Sequence, residues 1–423
     1  MFGMSQDQST RVLLQIKDEN IKNLSTKILS DGVMRVMGEL TYNSILCPRC
    51  GKVTMNHNGH KTVTVRLPRV SERTTLLVLK KQRFRCQNCG KTLLAQTPLI
   101  RKQHQISENT LHAIDLALTE DRTMSSIATQ YNVSTNTVCR RLTLLGKELQ
   151  PAYNGLPRQL CIDEFRSTGN QMSFIAINAK THDIVTILSG RKNADIKHFF
   201  RSHYSNKNRK HVKSVVMDFN SQYESAIRTL FPNAKLVADN FHLVQMTLRS
   251  LNQTRVQLMK QFKPDTREYR ILKFYWCFYL KSYDSLEATK VWWFSHLKDR
   301  QTQEQLVQEG LGLSEQFMHT YFSAHQLVKA FQDRDYTGFL KALGGVENVS
   351  PQLMTTVKTF IHRKRLIKNM AHGTLSNGPI EGINRKIKQI KRTAYGYKNW
   401  KHFIYRIRIE FLIKVKKKNP IRK

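Results

Sequence analysis

The alternation of apolar and polar residues changes character several times along the chain. In the first hundred residues, "KTVTVRLPRV" and "TTLLVLKKQRF" repeat with a period near two and predict half-buried strands. From 101 to 150 the period lengthens. In "TMSSIATQYNVSTNTVCRRL", Ile127, Ala128, Val133, Val138 and Leu142 sit where two short helices would pack across a tight turn. Ala128 leaves room for the crossing, Asn132 suits a left-handed turn position, and Ser134 suits a helix cap. This is the pattern of a helix-turn-helix. From about 157, "RQLCIDEF", "QMSFIAINA", "DIVTILSG", "ADIKHFFRSHY", "KSVVMDF", "SQYESAIRTLF" and "AKLVAD" predict three strands, a helix, a strand, a helix and a strand. Residues 244 to 370 are helix-patterned and aromatic-rich ("FYWCFYL", "VWWFSHL"), with Trp276, Trp292 and Trp293 expected in the core. A basic helix opens after 376.

Charge narrows the function. The 423 residues hold 69 Lys and Arg against 31 Asp and Glu, a net charge of +38 with pI near 10.1. A balance this basic points to a polyanion, and nucleic acid is the first candidate. No apolar run reaches the roughly 18 residues a membrane span needs, so no membrane partner is expected. The start, "MFGMSQDQSTR", lacks the apolar core of an export signal, which predicts a cytoplasmic protein. In this setting Thr135, Asn136, Arg140 and Arg141 of the second short helix become candidates for a DNA groove. The tail "KVKKKNPIRK" reads as a phosphate-binding extension or a solvated end.

Seven cysteines, an odd number, argue against a disulfide framework. Four form two pairs, "CPRCGK" (Cys47, Cys50) and "FRCQNCGK" (Cys86, Cys89), with 35 residues between them. Two such knuckles, each followed by Gly, suit structural Zn2+ held by four thiolates. The long insert leaves open that each pair serves separately.

The carboxylates raise a sharper problem. Asp163 lies in a strand predicted to be buried on most sides, and Asp218 ends another. Buried carboxylates are costly unless paired or metal-bound. Two sharing a site stay ionised only beside a cation, and hard oxygen ligands favour Mg2+ or Mn2+. Glu381 stands alone among six basic residues in "SNGPIEGINRKIKQIKRTAYGYKNW". After Gly378-Pro379 it suits a helix cap, yet it also suits a third metal ligand, and the two roles are compatible. Two ions so held would serve phosphodiester chemistry, with Arg385, Lys386, Lys388, Lys391 and Arg392 gripping the DNA backbone. Glu164 should point to the opposite face from Asp163. The element order with acids at Asp163 and Asp218 suits a ribonuclease-H-like sheet.

Together, "SNGPIEGINRKIKQIKRTAYGYKNWKHF", "VADNFHL", "CIDEF" and the paired Cys knuckles resemble a bacterial insertion-sequence transposase of the DDE type. The resemblance covers nearly the whole chain and is most specific over 376–403. It implies a multidomain α/β protein with three parts. These are a zinc-ribbon domain (1–100), a helix-turn-helix domain (101–156) and a ribonuclease-H-like catalytic domain (157–423) with an all-α insertion at about 244–370. It implies Asp163, Asp218 and Glu381 as the metal triad, and matches Asp239 and His242 to an Asp-x-x-His signature with possible auxiliary roles. Asp239 also rivals Asp218 as second ligand. Asn240 stands where a basic residue is expected, which puts a phosphate contact there in doubt. The expected partners are double-stranded DNA, as terminal inverted repeats and target, and a second copy of the chain, in the bacterial cytoplasm at the nucleoid. A metal-dependent nuclease and a non-catalytic DNA-binding regulator are the alternatives.

Overall fold

The computed structural model describes residues 6–42, 46–53, 55–219 and 221–412. The basic tail from 413 onward lies outside them. The chain divides into two compact units, one of Met1–Gln150 with Lys386–Lys423, the other of Pro151–Arg385.

In the first unit, β1 (Ile21–Ile28), β2 (Met34–Leu40), β3 (Met55–Val70), β4 (Arg73–Cys86) and β5 (Thr92–Leu94) form one sheet of order β1-β2-β4-β3, with β5 on β4. β2, β4 and the second half of β3 bury alternate residues, so Val36, Val65, Leu67, Leu77 and Leu79 make a core under one face. The long β3–β4 hairpin turns through Ser71 and Glu72, both at positive φ, the backbone a two-residue hairpin loop requires.

Three helices follow, Glu108–Ala117, Met124–Gln130 and Thr135–Glu148, capped by Ser107, Thr123 and Ser134. Asn132 turns between the last two at φ 50. Ile127, Ala128, Val138 and Leu142 pack together, joined by Ile409 from the C-terminal helix Trp400–Leu412. Gly146 is required where that helix crosses, because a Cβ there would lie 2.2 Å from the Tyr405 ring.

The second unit is built on a sheet of order β10-β9-β6-β7-β8, from β6 (Gln159–Arg166), β7 (Met172–Asn178), β8 (Ile184–Leu188), β9 (Ser214–Met217) and β10 (Lys235–Ala238). β9 and β10 run parallel to β6; β7 and β8 are antiparallel neighbours. The helices Asn193–His203 and Asn206–His211 precede β9, and Ser221–Leu230 links β9 to β10. A largely helical region then runs from Asn240 to Ala371 around Tyr279, Phe317, Tyr321, Phe331 and Phe360.

Two expectations for this region need correction. It is not all-α: "VWWFSHL" contributes β11 (Trp292–Phe294), which pairs with β12 (Asp299–Gln301). Nor are the tryptophans core residues, with Trp276, Trp292 and Trp293 exposed by 46%, 41% and 59%. Within this run it is Phe294 that turns inward. Among the described residues no helix is long and apolar enough to cross a membrane.

Candidate catalytic centre, zinc site and nucleic-acid surface

Strand register decides which acids meet. Ile162 of β6 pairs with Met217 of β9, and Met217 pairs with Ala238 of β10. The next residue along each parallel strand is therefore an aspartate: Asp163, Asp218 and Asp239 stand side by side at one level. Neighbouring strands lie about 4.8 Å apart, so three carboxyl groups share one edge of the sheet.

Their environments differ. Burial pushes the Asp163 carboxyl up to about 7, helped by the charge of Asp218. Burial pushes Asp218 to about 6, against the pull of His242. Asp239 is 1% exposed and its two oxygens accept from His242 Nδ1 (2.7 Å) and the Asn377 backbone N–H (3.3 Å). His242 Nε2 lies 3.2 Å from Asp218 Oδ2, and the hydrogen bond to Asp239 raises the imidazole pKa against the cost of burial. The imidazole thus bridges two carboxylates, which favours its doubly protonated form. Asp218, Asp239 and His242 offer ligand atoms within 4.8 Å of one another.

The helix Gly378–Thr393 closes the centre. Asn377, just before it, donates from Nδ2 to Asp218 (3.3 Å), and Asn384 donates to Asp163 (2.6 Å). Residues 377, 381 and 384 follow helical spacing, which puts half-buried Glu381 on the face that carries the two contacts, although its carboxylate is not among the ligand atoms gathered within 4.8 Å of one another, which belong to Asp218, Asp239 and His242. Among the described residues the Glu381 carboxylate has no hydrogen-bond or ion-pair partner. The amide oxygens of Asn377 and Asn384 are buried and unpaired as well. Orphaned buried acceptors beside ionisable carboxylates fit a site for a hydrated hard cation. Neither asparagine was singled out from the sequence; their spacing about Glu381 was the available signal. Glu164 faces away, accepting from Arg191 (2.8 Å) and Tyr223 (3.2 Å).

The four thiols of the knuckles converge. Cys47 and Cys89 sulfurs lie 3.5 Å apart, Cys50 and Cys86 3.6 Å, and all four are within 4.8 Å of one another. Zinc–sulfur bonds of about 2.3 Å in a tetrahedron place sulfurs roughly 3.8 Å apart, so one Zn2+ fits and both pairs serve it. Gly51 and Gly90, at φ 71 and 69, donate back to Cys47 O and Cys86 O and shape the two turns.

On the second short helix Thr135, Asn136 and Arg140 are exposed. Arg141 is not free for a groove, because its guanidinium is forked onto Asp115, with Nε donating at 2.8 Å. Asn136, Arg140 and Thr143 line a hollow with His402 of the C-terminal helix, a residue the sequence did not point to. Lys386 is likewise engaged, with Asp121 (2.8 Å) and buried Glu410 (3.0 Å). Arg385, Lys388 and Arg392 are exposed, and Lys391 is half-buried.

Comparison with known families matches this chain to three models. A DDE-type model of the ISL3 group, described as a transposase, matches residues 160–407. The zinc-finger of transposase IS204/IS1001/IS1096/IS1165 matches 43–89, and the helix-turn-helix domain of transposase family ISL3 matches 95–145. The chain is 24% identical over 386 residues to the transposase for insertion sequence element IS1001 of Bordetella parapertussis, covering 88% of this chain and 90% of that one. An 80-residue stretch, 19% of this chain, is 36% identical to 26% of a protein named ATP-dependent protease from Lactococcus lactis subsp. lactis.

Proposed function

The chain belongs to the ISL3 transposase family, and from that premise we propose that it cuts DNA at the ends of an insertion sequence and joins the 3′-hydroxyl ends to target DNA. Asp163, Asp218 and Glu381 hold divalent ions, Mg2+ or Mn2+. Such ions supply an acidified attacking hydroxyl and charge relief for the leaving 3′-oxygen. We read the sheet order, with β6, β9 and β10 parallel, as ribonuclease-H-like.

The observation that supports this reading most is the pair of hydrogen bonds from Asn377 to Asp218 and from Asn384 to Asp163, which bring the helix that carries Glu381 against the acids. Of the two rival aspartates, Asp218 is the better ligand. Both aspartates have each oxygen engaged, but the Asp218 side chain is 26% exposed and lines the open cleft, whereas that of Asp239 is 2% exposed, so Asp239 orients His242 and Asn377. Asn384 and Asn377 hold the ligand carboxylates in position, as outer-shell partners of metal ligands do. The zinc ribbon and the exposed Thr135, Asn136 and Arg140 take the terminal inverted repeats, and Arg385, Lys388 and Arg392 take backbone phosphates. Two DNA ends must be held at once, so the working form is a homodimer.

The test uses duplexes taken from the DNA flanking the coding sequence. Wild-type protein with Mg2+ or Mn2+ should cut and then join them to a second DNA, and Asp163→Asn should bind without cutting. Cutting without joining would make the protein a nuclease. Binding with no metal-dependent cutting in either form would make it a regulator.

A further inference from the structure

Asp218, Phe219 and His242 form one side of a cleft of about 730 Å³, and the helix Pro351–His362 of the helical region lines the other. That helix is amphipathic. Leu353, Val357 and Phe360 are buried, whereas Lys358, Thr359 and His362 recur at helical spacing on the cleft face. Arg363 follows at its end. An ordinary solvated helix face mixes charge signs; this one presents Lys358, His362 and Arg363 to the cleft with no acid among them. Among the described residues neither Lys358 nor His362 has an ion pair or hydrogen bond through its side chain. Arg363 has a different task. It donates to Phe219 O (3.1 Å) and stacks over the Phe219 ring (5.4 Å to its centroid), which fastens the cationic helix to the residue following Asp218.

Asp218 therefore stands on one wall, and an unpaired ammonium, Lys358, stands on the wall facing it with the imidazole of His362 and the guanidinium of Arg363. A polyanion can approach the acids only with divalent ions between, and its outward charge then meets the cations. We propose that this helix face is a phosphate-binding wall for the DNA strand that enters the acid centre, with Lys358 its principal contact and His362 and Thr359 supporting donors. The proposal rests on the transposase reading of the acid centre. It gives the helical region a role in substrate binding that no sequence motif announces.

Binding and turnover test it separately. In an Asp163→Asn background, full-length protein is titrated with a duplex from the flanking DNA at several salt concentrations. Adding Lys358→Ala should make the log–log salt slope shallower by about 0.9 for a lost duplex contact, or about 0.7 for a single strand, and Lys358→Arg should restore it. In the cutting-competent protein, Lys358→Ala should raise KM roughly tenfold with kcat within about twofold, as loss of a charged hydrogen bond made equally in ground and transition states requires. Lys358 is exposed, so its replacement leaves the fold intact. An unchanged slope together with an unchanged KM overturns the wall. Failure of wild-type protein to cut or join any DNA counts against the transposase reading, and the salt slope still decides whether Lys358 binds phosphate.

Discussion

The zinc site and the acid centre, which we propose holds divalent ions, are built in opposite ways. Four thiolates at tetrahedral spacing fill every position around one ion, and tight turns at Gly51 and Gly90 supply their shape. The acid centre is unfinished by comparison. Its carboxyls are pushed upward by burial, two asparagine oxygens are unpaired, and one flank opens into a cleft. A closed site stabilises a fold, whereas an open one can exchange ligands and do chemistry.

The largest effect expected from breaking this contrast is on stability at the thiolates. Cys86→Ser, or a strong chelator, should release zinc and unfold the β1–β5 sheet, because structural zinc contributes on the order of 10 kcal/mol to such domains. Metal analysis with circular dichroism checks this. Asp163→Asn should do the reverse, lowering cutting about a thousandfold or more without lowering the thermal midpoint measured in EDTA. A large fall in that midpoint would make Asp163 a structural residue.

Proton competition sharpens the difference. The folded carboxyls of Asp163 and Asp218 hold protons more tightly than unfolded ones near pH 4. Their contribution to the metal-free protein is therefore present at low pH and lost as pH rises through about 6 to 7. A divalent ion offsets that loss, so the rise in thermal midpoint on adding Mn2+ should be small at pH 5 and grow toward pH 8. A rise independent of pH would refute binding at these carboxylates. Asn384→Ala should then cost a smaller factor, about 10- to 100-fold in metal affinity or cutting, since it orients Asp163. Smallest of all, Trp293→Ala should change stability by less than about 0.5 kcal/mol, as its exposure requires.

Legibility followed sequence distance. The knuckles, the Ser134 cap and the turn at Asn132 depend on contacts within a few residues, and all were readable from spacing. The succession of elements from β6 to β10 along the chain was foreshadowed by periodicity, except for the short helix Asn206–His211, whereas their order in the sheet was not. Arg141 and Lys386 were less legible. Each looked like a free cation, but Asp115 pairs the first, while Asp121 and Glu410 pair the second. Nothing in "KHFIYRIRIEFL" signals that Ile409 completes the core of helices more than two hundred residues earlier.

Composition and short-range pattern alone determined that this is a zinc-bearing, DNA-directed protein carrying isolated carboxylates in apolar strands. Only tertiary structure could align Asp163, Asp218 and Asp239 at one level, bring Asn377 and Asn384 onto two of them, and turn Lys358 toward the same cleft. Register and helix packing are settled by the burial of whole faces at once. A carboxylate's neighbours across a sheet are therefore absent from any local stretch of its own chain.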